Sequence, residues 1–222
     1  MFPSHDTDAK EIGYSHALLS VLGKGKSNGR VSVPRKLQTT PKVRHTYRFR
    51  VTTTGSYSIQ TGFISGACGA VGITSTTVQN IASSFKLRKF TIYPPATAIG
   101  TSDTVLVYFN YATAAGFVRD ESFSASVPDG ITTTGALTFV PPKKSLLDTW
   151  LSTQLSFSNT CCTIAAPAGA IIDMDIEYTL MNLNSGYSAT TVATATVGRM
   201  YYMPLDGVSS NKIQAQGVTT TA

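Results

Sequence analysis

The stretch Ile172–Leu180 constrains this chain more than any other. It reads Ile-Asp-Met-Asp-Ile-Glu-Tyr-Thr-Leu, with Ile172, Met174, Ile176, Tyr178 and Leu180 alternating with Asp173, Asp175, Glu177 and Thr179. Side chains of a strand point to opposite faces in turn, so this period of two predicts a β-strand with one buried face. Pro167 and Gly169 precede it and predict a turn into the strand. Three carboxylates on one strand face lie roughly 6–7 Å apart and repel one another, so positive charge is expected beside them. The other cleanly alternating stretch, Val43–Val51, supplies it: Val43, His45, Tyr47, Phe49 and Val51 form one face, and Arg44, Thr46, Arg48 and Arg50 the other. Paired edge to edge, the two strands would cover one core and set opposite charges side by side on one outer surface. Because they come from the two ends of the chain, the pairing predicts the long-range closure of a Greek-key sandwich rather than a βαβ fold.

Charge is placed unevenly. The net charge is +6, but the interval from Val21 to Arg50 contains nine Lys and Arg and no acid, whereas residues 51–222 are close to neutral. A basic arm on a neutral body points to a polyanion, although the arm alone is equally compatible with a solvated tail. Within it Lys24, Lys26, Arg30, Arg35, Lys36 and Lys42 are the candidate nucleic-acid-binding residues. Aromatic residues are not interleaved with them, so phosphate neutralisation rather than base stacking is expected. Charged residues make up only 14% of the chain, below the usual ~25%. A surface poor in charge and rich in Thr and Ser suits burial against further copies of the same chain.

Taken in order, residues 1–42 read as the basic arm, 43–207 as the folded domain and 208–222 as a C-terminal tail. Strands are expected at 43–54, 57–65, 85–93, 103–111, 121–127, 136–140, 155–166, 171–181 and 197–203. The alternation of 85–93 slips at Arg88-Lys89, which predicts a bulge. Residues 66–72 read as a loop. Val78, Ile81 and Phe85 have helical spacing, which predicts a short helix over 75–84, and 146–151 reads as a helical turn. Many short strands separated by Gly and Pro turns define an all-β sandwich or barrel.

Catalytic motifs are not supported: the sequence has no HExxH and no glycine-rich phosphate loop, and its GxSxG match at Gly25–Gly29 falls in the basic arm and not at a strand-to-helix elbow, so a non-enzymatic protein is expected. Cys68, Cys161 and Cys162 show no CxxC spacing and read as buried free thiols in a reducing compartment. No apolar run is long enough for a membrane helix, and the N-terminus lacks the pattern of a signal peptide. His45 reads as a core histidine and Trp150 as a packing anchor. Asp173, Asp175 and Glu177 could ligate calcium, but pairing with arginines is the favoured reading. The alternative function is a carbohydrate-binding, lectin-like β-sandwich using Tyr111, Phe117 and Tyr187, which would leave the basic arm unexplained.

Three motifs, in this order, carry a resemblance: Pro141-Pro142-Lys143-Lys144-Ser145-Leu146 with Trp150; Ala166-Pro167-Ala168-Gly169-Ala170-Ile171-Ile172-Asp173; and Tyr201 through Leu205-Asp206-Gly207. Together with the arm, they resemble the single jelly-roll capsid proteins of small icosahedral viruses, most of all those of CRESS-DNA viruses, and are similar to tombusvirus-like shell domains. The resemblance implies an eight-stranded antiparallel jelly roll, with sheets BIDG and CHEF, in which strand I lies between B and D. It places Arg44, Arg48 and Arg50 on one side of Asp173, Asp175 and Glu177, and Lys86 and Arg88 on the other. It further implies self-assembly into a closed shell, the smallest (T=1) holding on the order of sixty copies. The implied partners are copies of the chain, single-stranded viral nucleic acid packaged by the arm, and a host receptor of unknown kind. The implied location is the virion, with assembly inside the host cell, in the nucleus for a DNA virus. No cofactor is required. The resemblance makes Asp103, Asp120, Glu121, Asp129 and Asp148 candidate calcium ligands at subunit contacts.

Overall fold

The computed structural model describes residues 40–96, 104–109, 121–126, 135–143, 145–152, 158–181 and 189–219. All of them belong to the second of two units into which the chain divides, Thr39–Ala222. The strands are β1 (Lys42–Val51), β2 (Gly55–Gln60), β3 (Ala70–Gly72), β4 (Thr77–Asn80), β5 (Ala82–Tyr93), β6 (Thr104–Phe109), β7 (Glu121–Ser126), β8 (Leu137–Phe139), β9 (Leu151–Ser152), β10 (Thr160–Ala166), β11 (Ile171–Leu180), β12 (Ala189–Thr191), β13 (Met200–Tyr201) and β14 (Ile213–Ala215). One helix, α1 (Thr61–Ala67), and one 3₁₀ turn (Leu146–Asp148) complete the described elements.

Eight strands form the sandwich. One sheet runs β1-β11-β5-β8 and the other β2-β10-β6-β7. Lettered B to I in chain order, with β3, β4 and β9 left out, these are the orders B-I-D-G and C-H-E-F. The chain therefore folds as an all-β, antiparallel jelly roll. β11 lies between β1 and β5, where its alternation buries one face while both edges pair. Its inward residues Ile172, Met174 and Ile176 are fully buried with Phe49 and Val51 of β1 and with Phe85, Leu87, Phe90 and Ile92 of β5. The facing sheet adds Ile59, Val105, Val107, Phe109 and Ile164 to the same core. Where β5 passes Arg88 and Lys89 its pairing with β11 shifts, from Asp175 opposite Lys89 to Ile176 opposite Leu87. This bulge leaves two consecutive cations on the outer face while Leu87 and Phe90 both point inward. A second shift, between Thr160 and Cys162, lets the adjacent Cys161 and Cys162 both be buried as free thiols.

Several sequence expectations are corrected. Residues 61–65 leave the strand that begins at Gly55 and form α1, which extends through Gly66 and Ala67. This helix has no side-chain cap and contains two glycines, so local propensity does not announce it; burial of Ile64 and Ala67 holds it. Residues 75–84 are not a helix. They hold the end of a turn, then β4, then the start of β5, and Val78 and Asn80 are buried on one face at a period of two. β3 occupies the stretch read as loop.

β4 and β3 join β12 and β13 in a third sheet, ordered β12-β4-β3-β13, with its own small core of Ala70, Val78, Val192, Tyr201 and Met203. The late strand expected over 197–203 is only the two residues of β13. β10 begins at Thr160; residues 155–157 of the strand expected over 155–166 lie outside the described residues. Part of the expected tail is structural: β14 pairs with β1 at Phe49–Val51, and Asp206 organises it by accepting the backbone N–H groups of Lys212 and Ile213, both at 2.9 Å.

Gly72 in β3 is required by a close approach. A Cβ there would meet the Thr196 carbonyl oxygen at 2.2 Å. Replacing Gly72 by alanine should destabilise the fold by about 1–3 kcal/mol. Alanine at Gly135, which has open space around it, should be nearly neutral. Urea denaturation of the two variants checks this.

Candidate functional site

The outer face of the β1-β11-β5 sheet carries most of the charge among the described residues. β1 and β11 pair so that Arg44 stands opposite Glu177, Thr46 opposite Asp175 and Arg48 opposite Asp173. Arg48 grips its facing carboxylate with two bonds of 2.7 Å, from Nε and from an Nη. Arg44 reaches diagonally past Glu177 to Asp175, with bonds of 3.0 and 2.7 Å. Glu177 instead pairs with Arg88, the cation that the bulge in β5 pushes outward. Lys86, opposite Glu177 in register, pairs with Asp148 of the 3₁₀ turn at 3.3 Å. Arg50, placed in the ladder by the sequence, has Ile171 across from it and not a carboxylate.

The acids are more covered than the bases. Side-chain exposure is 10% for Asp175 against 64% for Arg44, and 14% for Asp173 against 58% for Arg48. Hydrogen bonding from Arg44 holds the Asp175 carboxyl below its ordinary range, and Arg88 does the same for Glu177. Because the folded values lie below the unfolded ones, this stabilisation is complete above the unfolded carboxylate range, about pH 4 to 4.5, and is lost as pH falls through the folded values. Acid should therefore loosen the β1-β11-β5 sheet only below about pH 4, and neutralising Asp175 (Asp175→Asn) should flatten the acid limb of a stability-against-pH curve. The facing pair Arg48–Asp173 should contribute roughly 0.2–1 kcal/mol, at the low end because the arginine is open to solvent.

Other expected site residues fall differently. Lys24, Lys26, Arg30, Arg35 and Lys36 lie outside the described residues. Lys42 is the first residue of β1 rather than part of an arm, and its ammonium sits 5.0 Å from the centre of the Trp150 ring. Trp150 is accordingly 40% exposed and is not a packing anchor. His45 is exposed although it shares a strand face with Tyr47; its ring meets the Tyr47 ring edge-on at 4.6 Å, and the core begins at Tyr47. Beyond it the Tyr47 hydroxyl donates to the Cys68 carbonyl at 2.9 Å and lies 3.0 Å from the Tyr178 hydroxyl.

Of the candidate calcium ligands, Asp103, Asp120 and Asp129 lie outside the described residues, Glu121 begins β7, and Asp148 is the partner of Lys86. Among the described residues no three His, Cys, Asp or Glu converge to hold a metal ion. Tyr111, Phe117 and Tyr187 also lie outside the described residues. Among the described residues no helix is long and apolar enough to cross a membrane. The sequence reading missed Asp206, the buried acid that fixes β14; the turn composition Leu205-Asp206-Gly207 is its signal.

The strand order defines the class of fold, a jelly-roll sandwich. Among solved structures, a chain from Desmodium yellow mottle tymovirus is similar over 72% of this chain and 100% of its own, at 11% identity and a TM-score of 0.39. A chain from the cryo-EM structure of Mud Crab Dicistrovirus is similar over 90% of this chain and 83% of its own, at 9% identity and a TM-score of 0.22. No family model matches the chain, and no curated protein matches it in sequence.

Proposed function

We propose that this chain is the coat protein of a small icosahedral virus, most like those of CRESS-DNA viruses. The observation that carries this reading is a complete B-I-D-G and C-H-E-F sandwich joined to an interval, Val21–Arg50, of nine bases and no acid. Copies of the sandwich form the shell, on the order of sixty in the smallest closed arrangement. Lys24, Lys26, Arg30, Arg35 and Lys36 face inward and neutralise phosphates of single-stranded nucleic acid without reading its sequence. The protein works by assembly and not by catalysis. It resides in the virion and assembles in the host cell, in the nucleus if the genome is DNA. Calcium at subunit contacts through Asp103, Asp120, Glu121 or Asp129 would tighten the shell, and a chelator would then loosen it.

Deleting residues 1–38 tests the packaging half of this reading. The rest of the chain should fold, and nuclease-protected nucleic acid co-sedimenting with it should fall steeply. Binding of the intact chain to a single strand should weaken with salt at a log–log slope of about −0.7 per phosphate contact. Undiminished nucleic acid in the deletion variant would remove the arm from the mechanism.

A further inference from the structure

Arg50 is the odd member of its row. Arg44 and Arg48 each hold a carboxylate, whereas Arg50 is flanked by Ile171 on β11 and by Gln214 on β14. Its exposed side chain borders an open polar cavity of about 440 Å³ that Thr52, Gln214, Gln216 and the turn at Ala168-Gly169 also line. Lys212, likewise exposed, is tied to this corner because its carbonyl accepts the Thr52 N–H at 2.8 Å. Among the described residues no acid lines the cavity. The acid nearest in sequence to Lys212, Asp206, is buried, and its two oxygens are taken by the backbone N–H groups of Lys212 and Ile213. The side-chain amides of Gln214 and Gln216 donate only long bonds to backbone carbonyls, at 3.3 and 3.4 Å. Arg44 and Arg48 in the same row are each neutralised by a carboxylate, whereas Arg50 is not, and it stands beside glutamine amides that are weakly engaged.

We propose that this corner is a phosphate-binding site of the folded domain, taking phosphodiester groups of single-stranded nucleic acid independently of the arm. The inference rests on the packaging reading only for the source of the phosphate. A guanidinium offers paired, coplanar donors that match phosphate oxygens, Lys212 adds a point charge, and the side-chain amides of Gln214 and Gln216 supply uncharged donors. No aromatic ring lines the cavity among the described residues, so the site grips backbone and is indifferent to base. Its place at the β14 edge also gives the C-terminal residues a function beyond closing the sheet.

The test uses the full chain with Lys24, Lys26, Arg30, Arg35 and Lys36 all changed to glutamine, and a fluorescently labelled oligothymidylate as probe. This arm-neutral chain should still bind, with an affinity that falls with salt. Adding Arg50→Gln and Lys212→Gln should weaken binding roughly tenfold and flatten the log–log salt slope by about 1. Arg199→Gln removes a charge from the third sheet and should change affinity less than twofold, whereas Arg50→Lys should retain part of the binding. Inorganic phosphate should displace the oligonucleotide from the arm-neutral chain better than chloride at equal ionic strength, a measurement that needs no variant at the corner. The proposal is overturned if the arm-neutral chain does not bind, if the corner variant binds as the arm-neutral chain does, or if phosphate and chloride compete equally. It is also overturned if the corner variant binds normally but no longer assembles, which would make the corner a contact between copies. The arm's own role fails separately, if neutralising it leaves the affinity of the otherwise native chain unchanged.

Discussion

Exchanging Phe90 for alanine should lower the stability of the folded domain by about 3–5 kcal/mol. Phe90 is fully buried and stands in register with Met174 on one neighbouring strand and with Phe139 on the other. It also follows the bulge, so its inward direction depends on Arg88 and Lys89 both pointing out. Truncating the ring removes its transfer free energy and opens a cavity between three strands that cannot close without shifting the sheet. Urea denaturation should show a lower midpoint with an unchanged slope. Thr138→Ala, on exposed β8 surface, should change stability by less than about 0.5 kcal/mol. A loss below about 1 kcal/mol for Phe90→Ala would mean that the two sheets do not pack through this residue.

Reversing the charge at Asp175 should have the second-largest effect, a fall in melting temperature of roughly 4–8 °C. Its carboxylate is nearly covered, accepts both bonds from Arg44, and feels Lys89 and Arg88 from the other flank. A lysine there would face three cations with little water to screen them. Changing Arg44 to glutamate in the same chain should recover part of the loss, because it restores one pair of opposite charges across β1 and β11. Purely additive losses would show that Arg44 and Asp175 are not energetically coupled. Asp175→Asn should cost less than Asp175→Lys, because the amide leaves Arg44 a partner and adds no charge.

The central sheet was legible because its signals are of the kind a sequence can carry. β1 and β11 alternate over long stretches, their outer faces have opposite charge, and a one-residue slip would drive Asp173, Asp175 and Glu177 into the core. The bulge at Arg88-Lys89 was legible for the same reason, as a break in a pattern. The third sheet was not, because β3, β4, β12 and β13 are two to four residues long, too short for periodicity, and come from distant parts of the chain. α1 was hidden by its missing cap and its glycines. Charge alternation identified the ladder's members but not their pairing: the bulge moves Arg88 to Glu177, and Arg44 then leans to Asp175. Arg50 falls out of the ladder because β11 begins at Ile171 and has no carboxylate to offer there. Lys42 and Trp150 could not be matched from sequence, since a 3₁₀ turn and a two-residue strand bring the ring to the start of β1.

Negative-stain electron microscopy of the purified full chain, imaged at low and at high salt, tests shell formation most directly. Closed, uniform particles of a size set by about sixty copies are expected, and a population of them should persist across protein concentrations. A monomer that remains a monomer at high concentration under every salt condition would contradict the account.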